Sequence, residues 1–155
     1  MAKKFRGVEL VKEVRKALDE GQAQFVTNTQ SKLSKSSPVD SGRLASSWFV
    51  GKGSPNRDTP PKAGTPAKRK TITGVSSKIE GTNRPEISIT RYQGKVTFDG
   101  DWWLSSNLPY SARAALDPGY VGRRGSGAGD WFSRIQNNLQ KDAERIFQRA
   151  LKKIK

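Results

Sequence analysis

A few residues have the types and spacing that chemistry requires, and each set also has a plainer reading. Asp99 and Asp101 flank Gly100. Two carboxylates this close can hold a metal ion, but Asp-Gly-Asp is also the composition of a polar hairpin turn. Arg123 and Arg124 lie among glycines in GRRGSGAG. Such a segment can cradle a phosphate, yet it lacks the strand-to-helix pattern of a P-loop and reads as a linker before the last helix. Lys62 and the cluster Lys68-Arg69-Lys70 form a second basic patch, suited to DNA phosphates or to an acidic partner. Trp48, Trp102 and Trp103 sit in strand-like runs. Exposed, they would stack on unpaired bases; buried, they would build a small core or anchor a subunit interface.

What is missing narrows the chemistry further. The chain has no histidine and no cysteine. That removes imidazole bases, thiolate nucleophiles, disulfides and the usual zinc ligand sets, and it fits a reducing cytoplasm. No dinucleotide fingerprint and no nucleophile–base pair is visible. The expectation is a protein that is not an enzyme and needs no cofactor or metal. No run is apolar enough to span a membrane, and MAKKFRGVELV lacks the apolar stretch of a signal peptide.

The formal net charge of +15 on 155 residues calls for a polyanionic or acidic neighbour. The excess is uneven: +4 over residues 1–36, +6 over 52–78, −1 over 79–108 and +4 over 130–155. Lysines and arginines mix with acids on both predicted helices, as on solvated faces. Hydrophobic residues make up 33% and the mean hydropathy is -0.75, so part of the chain is solvated loop or surface awaiting a partner.

The elements that must position these residues follow from periodicity. The length suits one domain, 1–155. Leu10, Val11, Val14, Leu18, Phe25 and Leu33 recur at helical spacing and predict a long helix over 8–34, its polar second half fraying towards residue 36 and Pro38. Gly21 weakens its middle by about 1 kcal/mol relative to alanine. At about 40 Å this helix exceeds what the modest core needs, so part of it should pack on another subunit. Residues 44–51 read as a first strand. Residues 52–70 hold four of the eight prolines and read as a long, mobile, basic loop. Residues 71–106 read as the rest of the sheet: Ile72 and Val75, Ile87 and Ile89, Val96 and Phe98, a hairpin turn at Tyr92–Lys95, and a last strand at Trp102–Leu104. Ala112 to Leu116 make a single helical turn. Residues 130–154 hold a 3–4 apolar spacing from Trp131 to Ile154, with Asp130 as N-cap. The expected class is α+β: a small antiparallel sheet of three to five strands packed with long N-terminal and C-terminal helices, and a long Pro-rich basic loop.

One junction organises the pattern. In Ser37–Trp48, SPVDSGRLASSW, Pro38 stops the helix, Asp40 and Ser41 initiate a turn, and Gly42 supplies a position without Cβ. Leu44, Ser46, Trp48 and Val50 then alternate on one side of an extended segment.

These parts, in this order, resemble the tail-completion or neck (minor tail) proteins of tailed double-stranded DNA phages. Pro38-Val39-Asp40-Ser41-Gly42-Arg43-Leu44 leading to Ser47-Trp48 is similar to that family's Pro-Val-Asp-Thr-Gly-x-Leu-x-x-Ser junction. Asn107-Leu108-Pro109-Tyr110-Ser111 is similar to its Asn-x-x-Pro-Tyr-Ala segment, and the flanking helices extend the likeness over nearly the whole chain. The family's acid–glycine pair has its counterpart further downstream, in Asp117-Pro118-Gly119. The resemblance implies a virion structural protein, made in the host cytoplasm and built into the head–tail junction. It implies a homo-oligomeric ring, a hexamer or alternatively a dodecamer, that joins tail to capsid around the DNA path. Its partners would be neighbouring neck, adaptor, tail-terminator or tail-tube proteins, with non-specific contact to packaged DNA and none to membrane. Pro38, Asp40, Gly42, Leu44, Trp48, Asn107, Pro109 and Tyr110 would be its motif residues, with Asp40, Gly42 and Leu44 fixing the angle between helix and sheet. Lys62, Lys68, Arg69, Lys70, Arg123 and Arg124 would be candidates for DNA or partner contact. The alternative carried by charge alone is a stand-alone basic nucleic-acid-binding protein.

Overall fold

The structure, a computed structural model, describes residues 7–38, 43–59, 89–117 and 130–154. The architecture is α+β. Helix α1 spans Gly7–Ser36, strand β1 Phe49–Lys52, strand β2 Trp102–Ser105, helix α2 Ser111–Leu116 and helix α3 Trp131–Leu151.

Helices α1 and α3 run antiparallel. Leu33 packs with Trp131 and Ile135 near one end, and Gly21 faces the Phe147 ring and the Ala150 methyl near the other. The glycine that lowers helix propensity is thus the point of closest approach: a Cβ there would stand 2.8 Å from Phe147 Cδ1. Packing on α3 and on the segment around Trp48 also explains why the polar second half of α1 stays helical to Ser36 instead of fraying. Thr29, Gln30, Leu33 and Ser34 are all buried there, and tertiary burial overrides local propensity. Pro38 follows the helix end as expected.

The sheet is antiparallel, with Phe49 opposite Ser105 and Lys52 opposite Trp102. Among the described residues it has two strands. Two expectations change. The first strand begins at Phe49, not at residue 44, because Ser47 uses both its N–H and its hydroxyl on the Leu44 carbonyl, at 3.0 and 2.7 Å. This local bonding holds 44–47 as a turn and competes with any ladder. Val96–Phe98 forms no strand. The Phe98 N–H donates to Asp19 Oδ1 at 3.0 Å, and the Thr97 carbonyl accepts from Trp102 Nε1 at 2.8 Å, so these backbone groups are engaged by side chains. Instead of turning a hairpin, Tyr92 lays its ring edge-on to Trp102 at 5.3 Å. Ile72, Val75 and Ile87 lie outside the described residues.

The main core cluster is aromatic–aliphatic: Leu33, Trp48, Ala115, Trp131 and Ile135, with Leu104, Phe132 and Leu139 against it. Trp48 meets Trp131 edge-on at 6.2 Å and lies nearly parallel to Phe132 at the same separation. Asp130 precedes α3 but makes no side-chain cap; its carboxylate pairs with Arg134 Nη2 at 2.7 Å instead.

Candidate functional site

The two motif segments, some sixty residues apart in sequence, meet in space. Leu44, Leu108 and Ala114 form a second buried cluster with Tyr110 packed against it. Beside it the Ser47 and Ser106 hydroxyls share a 2.6 Å hydrogen bond. Leu44 and Leu108 are each 4% exposed. At that burial a polar group left unpaired would cost about 1–3 kcal/mol, which accounts for the density of hydroxyl bonding in this corner.

Trp48 ties the junction to the helices. Its Nε1 donates to Ser37 Oγ at 2.8 Å, and Ser37 Oγ donates onward to the Leu33 carbonyl at 2.6 Å. Gln30 Nε2 donates to the Trp48 carbonyl at 2.7 Å and to the Thr90 carbonyl at 2.8 Å. Trp131 Nε1 donates to the Ala114 carbonyl at 2.9 Å, fixing α2 to α3. Each indole N–H thus has an acceptor, as burial of tryptophan requires.

Asn107 reaches away from the core. Its Nδ2 donates to the carbonyls of Asn56 and Asp58, both at 3.1 Å. Ser105 Oγ donates to the same Asn56 carbonyl at 2.9 Å, and Asn56 Nδ2 donates back to the Val50 carbonyl at 3.3 Å. The first residues of the predicted mobile loop are therefore strapped across the sheet. Gly51 permits this, since a side chain there would collide with the Ser54 carbonyl. Gly53, at φ +72°, turns the chain out of β1 and donates its N–H to the Asp101 carbonyl at 2.8 Å.

Of the sequence-predicted motif residues, Leu44 and Tyr110 share the second cluster, Trp48 lies in the first, and Asn107 holds residues 56–58; Pro38 follows the end of α1 and Pro109 precedes α2. Asp40 and Gly42 lie outside the described residues, as do the proposed contact residues Lys62, Lys68, Arg69, Lys70, Arg123 and Arg124. The three strand-like tryptophans divide. Trp48 is buried in the core, Trp102 is half-buried under Tyr92 with the Lys52 ammonium 5.8 Å from its ring centroid, and Trp103 is 48% exposed. Within the Asp99–Asp101 pair, the Asp99 carboxylate has another partner. Asp99 Oδ2 accepts from Arg15 Nη2 at 2.9 Å. Its own backbone N–H and then Arg15 hold its carboxyl below the ordinary aspartate range. Among the described residues no group of three or more potential metal ligands converges. No described helix is long and apolar enough to cross a membrane.

Sequence reasoning missed a basic cleft of about 720 Å³ where the end of α1 meets the start of α3. Lys32, Lys35, Arg134 and Arg145 line it, with Asn138 on one wall and Trp131 and Ile135 at the floor. Asp142, only 17% exposed, pairs with Lys32 and approaches Arg145 at 4.0 Å. Lys35 has no acidic partner among the described residues. The charges come from positions about a hundred residues apart, so only the helix pairing assembles them. Comparison of the chain with protein-family models, curated proteins and solved structures finds no match.

Proposed function

We propose that this chain is a structural virion protein of a phage head–tail junction, a tail-completion or neck protein whose copies close into a ring around the DNA path. The observation that carries the reading is the packing of the two motif segments on each other. Leu44 shares a buried cluster with Leu108, and Ser47 bonds Ser106, so the two motifs that carry the family resemblance form a single joint. A long helix that outreaches its partner also fits a module that completes itself against neighbours. In this role the protein acts by shape and contact rather than by catalysis. Its partners are further copies of itself, as a hexamer or dodecamer, and the neck, adaptor, tail-terminator or tail-tube rings above and below. Basic segments beyond the described residues supply any contact with DNA. The test is negative-stain microscopy of phage assembled without this protein. Separate filled heads and unattached tails are expected; normal, infectious virions would overturn the proposal.

The net charge of +15 supports a second reading, an independent nucleic-acid-binding protein. Tight duplex binding by the isolated monomer, with a steep log–log dependence on salt, would favour it.

A further inference from the structure

Sequence order hides how the charges of α3 are arranged. Asp142 and Glu144 stand among its lysines and arginines, so the helix reads as a mixed, solvated face. At about 100° per residue the two signs separate. Over residues 134–152, one arc of about 80° holds Arg134, Asn138, Lys141, Arg145, Arg149 and Lys152 and no other residue. All six are exposed, five are cations, and none is acidic or apolar. Lys152 belongs to the row because the C-cap keeps helical backbone, at φ -63° and ψ -14°. Asp142 lies just beyond one border and pairs with Lys32 of α1. Glu144 lies beyond the other and accepts from Gln140 Nε2 at 3.0 Å.

Two more observations separate this row from an ordinary solvated face. Arg134 pairs with Asp130 at 2.7 Å, and Arg145 only approaches Asp142, at 4.0 Å. Lys141, Arg149 and Lys152 have no acidic partner among the described residues. The exposed side of α1 is balanced by contrast, with Glu9, Glu13 and Glu20 against Lys12, Arg15 and Lys16. The row on α3 runs roughly 27 Å at 1.5 Å per residue, and Lys141, Arg145 and Arg149 follow one another at about one turn.

The chemistry of the row selects its partner. Protein interfaces are built on buried apolar or aromatic anchors and are depleted of lysine; this arc has no such anchor. A membrane-surface helix needs a free apolar face opposite its basic one, and the apolar face of α3 packs on α1. Single strands are held by stacking on aromatic rings, which the row lacks. A linear polyanion that asks only for cations and hydrogen-bond donors fits it, and the phosphate backbone of duplex DNA is such a polyanion. The row is long enough to follow about eight base pairs at 3.4 Å each. We infer that the exposed row from Arg134 to Lys152 on α3 lies along the phosphate backbone of duplex DNA without reading its sequence. The inference rests on the reading of a ring around the DNA path, and it moves the DNA contact from the basic segments beyond the described residues onto a face of the fold itself.

The test is the fluorescence anisotropy of a labelled DNA duplex titrated with the purified full chain, at salt from about 50 to 200 mM. Lys141→Gln, Arg149→Gln and Lys152→Gln together keep helix propensity and remove the three unpaired cations. The slope of log affinity against log salt should become shallower by about 2.7, at about 0.9 for each phosphate contact. Lys141→Gln alone should remove about 0.9, and it carries the test if the triple variant loses its helical circular dichroism. Lys12→Gln, Lys16→Gln and Arg91→Gln together change the net charge equally but lie off the row, and should leave the slope unchanged. Equal effects of the two triple variants would make binding a matter of net charge and overturn the inference. So would tighter binding to poly-glutamate than to the duplex, or no duplex binding by the natural chain. A slope that falls on replacing Lys62, Lys68 and Lys70 while the α3 variants keep it returns the contact to the loop; the inference then fails and the head–tail reading stands. Normal virions made without the protein, together with a slope that depends on the row, would keep the α3 surface and remove the ring.

Discussion

The indole of Trp48 shows how one residue can hold a junction. Its rings pack edge-on to Trp131 and nearly parallel to Phe132, and its N–H reaches Ser37 at the end of α1. Trp48→Phe keeps most of the packing and removes the hydrogen bond, so a loss of about 1–2 kcal/mol is expected in chemical denaturation. Trp48→Ala also opens a cavity and should cost about 3–5 kcal/mol. Gln30 satisfies two carbonyls at once. Gln30→Leu strands both, at about 1–3 kcal/mol for each buried carbonyl, and should cost more than Trp48→Phe. Acid sensitivity belongs to this scale as well. The Phe98 N–H above all holds the Asp19 carboxyl below its ordinary range; burial opposes it, and Lys95 adds to the lowering. Asp99 is held low by its own N–H and by Arg15. A carboxyl with a lowered folded pKa stabilises fully above its unfolded value of about 3.9, and that contribution is lost as pH falls through the folded value. Denaturation midpoints should therefore fall below about pH 4, and less steeply in Asp19→Asn.

Elements are decided by which backbone groups find partners. Helix propensity alone says that replacing Gly21 by leucine should stabilise α1 by close to 1 kcal/mol. Packing says the reverse, because even a Cβ at Gly21 presses on the Phe147 ring, which is itself set edge-on to Phe98 at 5.6 Å. Overpacking of about 1–3 kcal/mol should win, and Gly21→Leu is expected to lower the thermal midpoint. The strap across the sheet gives a second opposed pair. Alanine suits a strand better than glycine, yet Gly51→Ala drives a methyl into the Ser54 carbonyl and should release the 54–58 segment. Faster amide exchange at Asp58, whose N–H donates to Asn56 Oδ1 at 2.7 Å, would report the release. Unchanged exchange would show that the strap does not depend on Gly51.

On the scale of the molecule, the pairing of α1 with α3 turns scattered charges into a surface. Lys32 and Asp142 are 110 residues apart and bridge the two helices at the cleft. Asp142→Asn leaves Lys32 and Arg145 facing each other without a counter-charge. The expected loss is about 1 kcal/mol at low ionic strength, shrinking with added salt as the repulsion is screened. Cooperative unfolding followed at low and at high salt checks it. Persistence of the loss at high salt would point to packing rather than charge.

The long helices and the α+β class were legible in the sequence, because a 3–4 apolar spacing and a proline stop act through nearest neighbours on the chain. Strand limits were not. Leu44 to Ser47 alternate as a strand should, yet the Ser47 hydroxyl claims the Leu44 carbonyl; Val96 to Phe98 alternate too, yet Asp19 claims the Phe98 N–H. Alternation reports which side chains share a face, whereas a strand also needs free backbone partners, and those come from distant residues. The motif segments could be read one at a time, but their meeting through Leu44 and Leu108 could not. The cleft was hidden for the same reason. Lys32, Lys35, Arg134 and Arg145 look like ordinary solvated helix positions until the antiparallel packing of α1 on α3 sets them around one hollow. The sequence by itself determined where the helices run and stop; only the tertiary structure decided which carbonyls, hydroxyls and charges would find each other.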